Sequence, residues 1–115
     1  MLFLEYPSCS TCKKALNWLE AHAICFDARH IKDERPTYEE LKLWYTRSGL
    51  PLKRFFNTSG LAYKSLGLKL RLPLMSEEEQ LQLLASDGML VKRPLLICED
   101  RVLVGFREAE WKAIL

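Results

Sequence analysis

Apolar and polar positions change period along this chain, and each change marks an element. Residues 2–6, Leu-Phe-Leu-Glu-Tyr, form a short apolar run closed by Pro7-Ser8, which predicts a buried strand. From Thr11 the apolar residues recur at helical spacing: Ala15, Leu16, Leu19 and Ala23 share a face, while Lys13, Lys14, Asn17 and Glu20 lie elsewhere. Ile24 to Ala28 is a second, mostly apolar segment that predicts a returning strand. Strand, helix and strand within about thirty residues predict a βαβ unit with parallel strands.

The middle of the chain reads as helical. A charged connection from Lys32 to Pro36 leads to Thr37 and Glu40, the spacing of a capping box, and Leu41, Trp44 and Tyr45 follow before Ser48-Gly49 stops the helix. Leu50 to Leu74 is broken by Gly60, Gly67 and Pro73 into short pieces. Ser76 with Glu79 is a second capping box, ahead of Leu81, Leu84 and Ala85, and Asp87-Gly88 ends that helix. After Pro94, the runs Leu95–Cys98 and Val102–Val104 flank Glu99-Asp100 and predict an antiparallel hairpin. Gly105 closes it, and Arg107 to Leu115 predicts a final amphipathic helix with Trp111 and Ile114 inward. The order β-α-β, helical middle, β-β-α predicts an α/β fold with a mixed four-stranded sheet: one domain over residues 1–115, with a helical insertion at about 37–88.

Composition narrows the function. A length of 115 residues leaves no room for a second core. The net charge of +2, from 17 basic and 15 acidic residues, argues against direct nucleic-acid or membrane binding. No apolar run approaches the ~20 residues that cross a bilayer. The apolar start lacks the basic leader of a secretory signal, so a cytoplasmic location is the expectation.

The four cysteines are unevenly placed. Cys25 and Cys98 stand alone in apolar segments and read as packed core thiols. Cys9 and Cys12 fall where the first strand meets the first helix. A helix N-terminus offers unpaired N–H groups and partial positive charge, which favour the thiolate, the reactive form of cysteine. With Cys9 just before the helix and Cys12 in its first turn, the sulfurs can meet and exchange dithiol for disulfide. Cys9, nearer solvent, reads as nucleophile and Cys12 as resolving thiol. Two other readings stand beside this one. A structural zinc site wants four ligands, whereas His22 and His30 lie eight residues apart and Cys25 and Cys98 are single. The pair can also be two inert core thiols. His22 and His30 read as surface or strand-end residues, Trp18, Trp44 and Trp111 as packing, and Glu77-Glu78-Glu79 as a solvated helix start.

Several segments carry a family resemblance. They are Cys9-Ser10-Thr11-Cys12-Lys13-Lys14-Ala15, Phe55-Phe56-Asn57-Thr58-Ser59-Gly60 with Tyr63-Lys64-Ser65-Leu66-Gly67-Leu68, Asp87 to Leu95 with Arg93-Pro94, and Val104-Gly105-Phe106 before an acidic helix. In this order, over nearly the whole chain, they resemble the arsenate reductase/Spx family, and most closely its short members with both cysteines. The resemblance implies a thioredoxin-like fold with a helical insertion. It implies that Pro94 is a cis proline facing the cysteine turn. Arg93 then projects toward Cys9, to stabilise a thiolate or hold an oxyanion such as arsenate. Ser8, Ser10, Thr11, Arg93 and Pro94 make up the implied substrate-binding set. The family's arsenate reductases use three arginines. Arg93 matches one, and the other two positions fall on Asn57 and Phe106, with Arg54 and Arg107 nearby in sequence.

Those reductases lack the second cysteine of the turn, so Cys12 implies an internal resolving thiol, regenerated by a thioredoxin-like protein or a low-molecular-weight thiol. The implied activity is thiol–disulfide exchange, extending to arsenate-like oxyanions, with no cofactor and no metal. The Spx branch implies an alternative: a redox-sensing regulator that binds the RNA polymerase α subunit, with Gly49 as a loose match to a glycine of that surface.

Overall fold

Phe3 and Leu4, neighbours in the first strand, face opposite sides of a four-stranded sheet, and each anchors a separate core. The computed structural model describes residues 1–115. The elements are β1 (Leu2–Glu5), α1 (Ser10–Ala21), β2 (Asp27–His30), α2 (Tyr38–Ser48), α3 (Leu61–Ser65), α4 (Leu68–Arg71), α5 (Glu77–Ser86), β3 (Leu95–Ile97), β4 (Val102–Val104) and α6 (Glu108–Trp111). Single 3-10 turns lie at Leu52–Phe55, Leu72–Leu74, Gly88–Leu90 and Lys112–Ile114. The strand order is β2-β1-β3-β4. β1 runs parallel to β2 and antiparallel to β3, and β3 pairs antiparallel with β4, so the sheet is mixed, as the sequence predicts.

The smaller core joins Phe3 and Leu96 of the sheet to Ala15, Trp18 and Leu19 of α1, with Cys98 and Trp111. Trp111 is fully buried, meets Phe3, Trp18 and Phe106 edge-on, and donates from Nε1 to the Gly105 carbonyl at 3.1 Å. The larger core seats the helical middle on the other face through Leu4, Leu95, Ile97, Leu41, Trp44 and Leu84, among others. Each fully buried side chain of this kind contributes roughly 1.5–3 kcal/mol of transfer free energy.

Both capping boxes form. Thr37 Oγ1 accepts from the Glu40 amide at 3.2 Å while the Glu40 carboxylate accepts from the Thr37 amide at 2.9 Å. Ser76 and Glu79 reproduce the arrangement at 3.1 and 2.9 Å. Gly49 ends α2 at φ +67°, a left-handed conformation that suits glycine. Gly88 is needed for closeness: a Cβ there would lie 1.9 Å from the Ile31 carbonyl oxygen.

Three details differ from the sequence reading. The second strand is Asp27–His30, not Ile24–Ala28. Ile24 and Phe26 pack against the smaller core as a lead-in, with Phe26 meeting Phe3 edge-on at 5.5 Å, so their apolar signal marks the connection. The strand itself lies at the sheet edge, where polar residues are tolerated. Cys25, in that lead-in, is exposed rather than a packed core thiol, whereas Cys98 is buried as expected. Ala23 lies beyond the end of α1, exposed and at φ +53°. No helix is long and apolar enough to cross a membrane.

Candidate functional site

β1 ends at Glu5, and a tight turn, with the Cys9 amide donating to the Tyr6 carbonyl at 2.9 Å, delivers Cys9 to the N-cap of α1. Cys9 has extended backbone angles, and its carbonyl accepts the first helical bond from Lys13 at 3.1 Å. Cys12 sits in the first turn, almost fully buried, while Cys9 is only partly so. The two thiols are free, and each lies within the other's electrostatic reach.

The electrostatics separate the pair. Partial burial raises the Cys9 pKa, but the amides of Cys12 and Thr11, the Cys12 side chain and the Arg93 charge together outweigh it, and Cys9 titrates below its ordinary value of 9.0. As a neutral thiol Cys9 makes no strict cap hydrogen bond, so the helix-terminal amides favour it chiefly once it is charged. Cys12 moves the other way, to about 12: burial dominates, and both the Cys9 sulfur and the Glu5 carboxylate add to it. Cys9 is thus the more easily ionised of the two, and its neighbour holds its proton, acting as a donor toward Cys9.

The sheet register brings Arg93 here. Leu4 pairs with Leu95, so the residues before β3 run alongside the end of β1. The Arg93-Pro94 peptide is cis, as the resemblance implies. Arg93 lays its guanidinium over the Tyr6 ring, 5.3 Å from the centroid, and donates from Nη1 to the Met89 carbonyl at 3.1 Å. It makes no ion pair, which leaves its charge free for Cys9. A bridge between Phe56 and Val91, with the Asn57 amide on Leu90 at 2.7 Å and the Lys92 amide on Phe55 at 2.8 Å, carries the 53–60 segment to the same place. Cys9, Thr11, Asn57, Met89, Lys92 and Arg93 share one cleft of about 600 Å³.

Of the sequence-derived site residues, Cys9, Thr11 and Arg93 therefore meet in this cleft, with Cys12 buried behind Cys9. Pro94 is buried and lines neither this cleft nor its neighbour. Ser8 and Ser10 are exposed and contribute to neither this cleft nor its neighbour. Asn57 stands in the Cys9 cleft, whereas Phe106, Arg54 and Arg107 line the adjoining one. Sequence reasoning passed over Tyr6, Lys53 and Lys92. The adjacency of Lys92 to Arg93 was the one available signal. No three His, Cys, Asp or Glu side chains gather anywhere as a metal-ligand set.

The mixed four-stranded sheet and its helices form a thioredoxin-like α/β fold, with two cysteines at the head of α1 and a cis peptide before Pro94. The chain belongs to the ArsC family, whose model matches residues 4–114. It is 53% identical over 112 residues to YusI, an uncharacterized protein of Bacillus subtilis, with 97% of this chain and 95% of that one covered. It is 34% identical over 110 residues to the regulatory protein MgsR of B. subtilis, covering 96% and 86%. The structure of an ArsC-family-related protein from Bacteroides fragilis superposes with a TM-score of 0.97 at 56% identity, covering 99% of this chain and 96% of that one.

Proposed function

We propose that this protein catalyses thiol–disulfide exchange, with Cys9 as nucleophile and Cys12 as resolving thiol. The observation that carries this reading is the placement of two free sulfurs at the head of α1, Cys9 partly open at the N-cap and Cys12 buried in the first turn, with the Cys9 pKa lowered and that of Cys12 raised. Cys9 thiolate attacks one sulfur of a disulfide and expels the other as thiolate, forming a mixed disulfide. Loss of the Cys9 negative charge removes one of the lesser causes of the high Cys12 pKa, and Cys12 passes its proton to the expelled thiolate as it attacks. Cys12 then attacks Cys9, freeing the second thiol and leaving a Cys9–Cys12 disulfide. A thioredoxin-like dithiol or two equivalents of a small thiol restore the reduced pair.

The same two electrons convert an arsenate-like oxyanion to its trivalent acid with loss of water. For that substrate Arg93 and Lys92 are the cations at the Cys9 cleft, with Asn57 in the place of a further arginine. An arsenate dianion held by two cations, in a cleft that also contains Asp87, is bound less firmly than by three arginines, so disulfides are the favoured substrates. In an assay coupled to NADPH oxidation through an added disulfide reductase, Cys9→Ser abolishes turnover and Cys12→Ser accumulates a mixed disulfide readable by mass. Full activity in Cys9→Ser would overturn the reading.

The relationship to the regulatory protein MgsR supports a second reading, a regulator; for that reading we propose the Cys9–Cys12 pair as a redox switch and the RNA polymerase α subunit as the partner. Pull-down with that subunit, in the reduced and oxidised states, separates the two. Absence of binding in both states removes the regulator reading.

A further inference from the structure

Beside the Cys9 cleft lies a second one of about 470 Å³, walled by Lys53, Arg54, Lys92 and Arg107 with Thr11 and Phe106. Four cations and no carboxylate line it. Lys53, Arg54 and Lys92 make no ion pair, and Arg107 has only a loose, exposed contact with Glu110 at 3.5 Å. The four come from three separate segments. Lys53 and Arg54 sit on the 3-10 turn at Leu52–Phe55, Lys92 precedes the cis proline, and Arg107 is the N-cap of α6. Like charges are gathered here against their mutual repulsion, in a concavity that concentrates their field.

The fold also holds this arrangement in place. The Lys92 amide is fixed on Phe55 at 2.8 Å, and the Lys92 stem crosses Gly105, where an added Cβ would lie 3.2 Å from Lys92 Cε. Gly105 itself is at φ +74° with its amide on the Pro94 carbonyl at 2.8 Å, which ties the Phe106-Arg107 wall to the cysteine site. Thr11 and Lys92 belong to both clefts, so the two open into each other at the helix turn that carries Cys9 and Cys12.

We propose that the Lys53–Arg54–Lys92–Arg107 cleft binds the anionic groups of a small, multiply charged disulfide while one of its sulfurs reaches Cys9 in the adjoining cleft. The inference rests on the thiol–disulfide reading and names its substrate class: disulfides carrying two or more carboxylates or phosphates. A neutral disulfide has nothing to place in this cleft, and a cationic one is repelled. The exchange is the one described above: Cys9 thiolate displaces the distal thiolate, Cys12 displaces the anchored one, and the two substrate thiols leave with the two electrons of the pair, one proton from Cys12 and one from water.

The test follows formation of the mixed disulfide in single turnover, with the Cys12→Ser protein. The probes are glutathione disulfide for carboxylates, coenzyme A disulfide for phosphates, hydroxyethyl disulfide as neutral and cystamine as cationic. Each rate is divided by that of the same disulfide with dithiothreitol, which removes leaving-group effects. The expected result is an advantage of tenfold or more for one anionic probe over the neutral one. That advantage shrinks with added salt and falls at least tenfold in Lys53→Ala/Arg54→Ala. Whichever anionic probe leads identifies carboxylate or phosphate as the recognised group.

Normalised rates equal for all four probes, with Cys9 still reacting, would overturn the cleft assignment and leave the exchange reading standing. Failure of Cys9 to react with any probe overturns the exchange reading instead. A direct arm then decides the cleft alone: titration of unreactive S-methylglutathione and of coenzyme A, followed by amide NMR. Shifts centred on Lys53, Arg54 and Arg107 support anion binding there, and their absence with both ligands refutes it.

Discussion

Arg93 rests on the ring of Tyr6, its guanidinium carbon 5.3 Å from the ring centroid. Both residues border the cysteine turn. Tyr6 closes β1 and accepts the Cys9 amide, while Arg93 is anchored through Nη1 on Met89 and directs its charge at Cys9. An arginine stacked on an aromatic face and bonded to a carbonyl keeps its charge and its position without a carboxylate to neutralise it. That is the condition under which it can stabilise a thiolate.

Alkylation with iodoacetamide across pH reads this directly. Cys9 reacts with a half-maximal rate below pH 9, because its pKa is lowered and reactivity follows the thiolate fraction. Arg93→Ala moves that midpoint to higher pH. Native protein labels at Cys9 and Cys25, while buried Cys12 and Cys98 label only on unfolding. Mass mapping of labelled peptides checks both statements, and rapid labelling of native Cys12 would contradict them.

Replacing Cys12 in two ways isolates its donor role. Cys12→Ala removes the side chain that helps to lower the Cys9 pKa, so the Cys9 profile moves to higher pH. Cys12→Ser retains a hydroxyl donor and leaves the profile closer to that of the unaltered protein. The Cys12→Ala midpoint is expected to lie above that of Cys12→Ser, and identical profiles would argue against donation.

Gly88→Ala tests the closeness of the loop that carries Met89 to the sheet edge. The added Cβ meets the backbone of Ile31 and Lys32, at 1.9, 2.8 and 3.0 Å, and not the end of a flexible side chain. The expected cost is about 3 kcal/mol or more, since main chain must shift. Gly49→Ala meets nothing within 4 Å and carries only the left-handed penalty of about 1–2 kcal/mol. Urea denaturation midpoints rank the two.

Glu40 links the first capping box to β2 by accepting from Arg29 at 2.6 and 2.9 Å. The Arg29 hydrogen bond is the largest cause that holds the Glu40 carboxyl below its ordinary value of 4.5. A carboxyl depressed in the folded state stabilises it above the unfolded pKa, and that stability is lost as pH falls through the folded one. Glu40→Gln retains a capping amide oxygen but loses the charge. It should cost about 0.5–1.5 kcal/mol at pH 7, because both partners are partly exposed. The deficit narrows as pH falls below the ordinary value of 4.5, as thermal unfolding across pH will show.

The local grammar of this fold is legible in the residues because its signals are short-range. Thr37 with Glu40 and Ser76 with Glu79 satisfy amides three positions away. The Glu99-Asp100 turn fixes the hairpin register, and the placement of Cys9 and Cys12 around a helix start needs nothing beyond the first strand. The second strand was harder to see, since an edge strand of Asp-Ala-Arg-His has no apolar period while its lead-in, Ile24 and Phe26, does. The same lead-in leaves Cys25 exposed between two inward residues.

By itself, then, the sequence determined the order of elements, the capped starts of α2 and α5 and the sulfur pair at the head of α1. Tertiary structure decided what surrounds that pair. Arg93 acts on Cys9 because Leu4 pairs with Leu95, and Lys53, Arg54, Lys92 and Arg107 share a cleft because Phe56 bridges Val91 and Gly105 bonds Pro94. Those residues are tens of positions apart, with no periodicity between them. Only the closing of a sheet over two cores brings their charges close enough to act as one field.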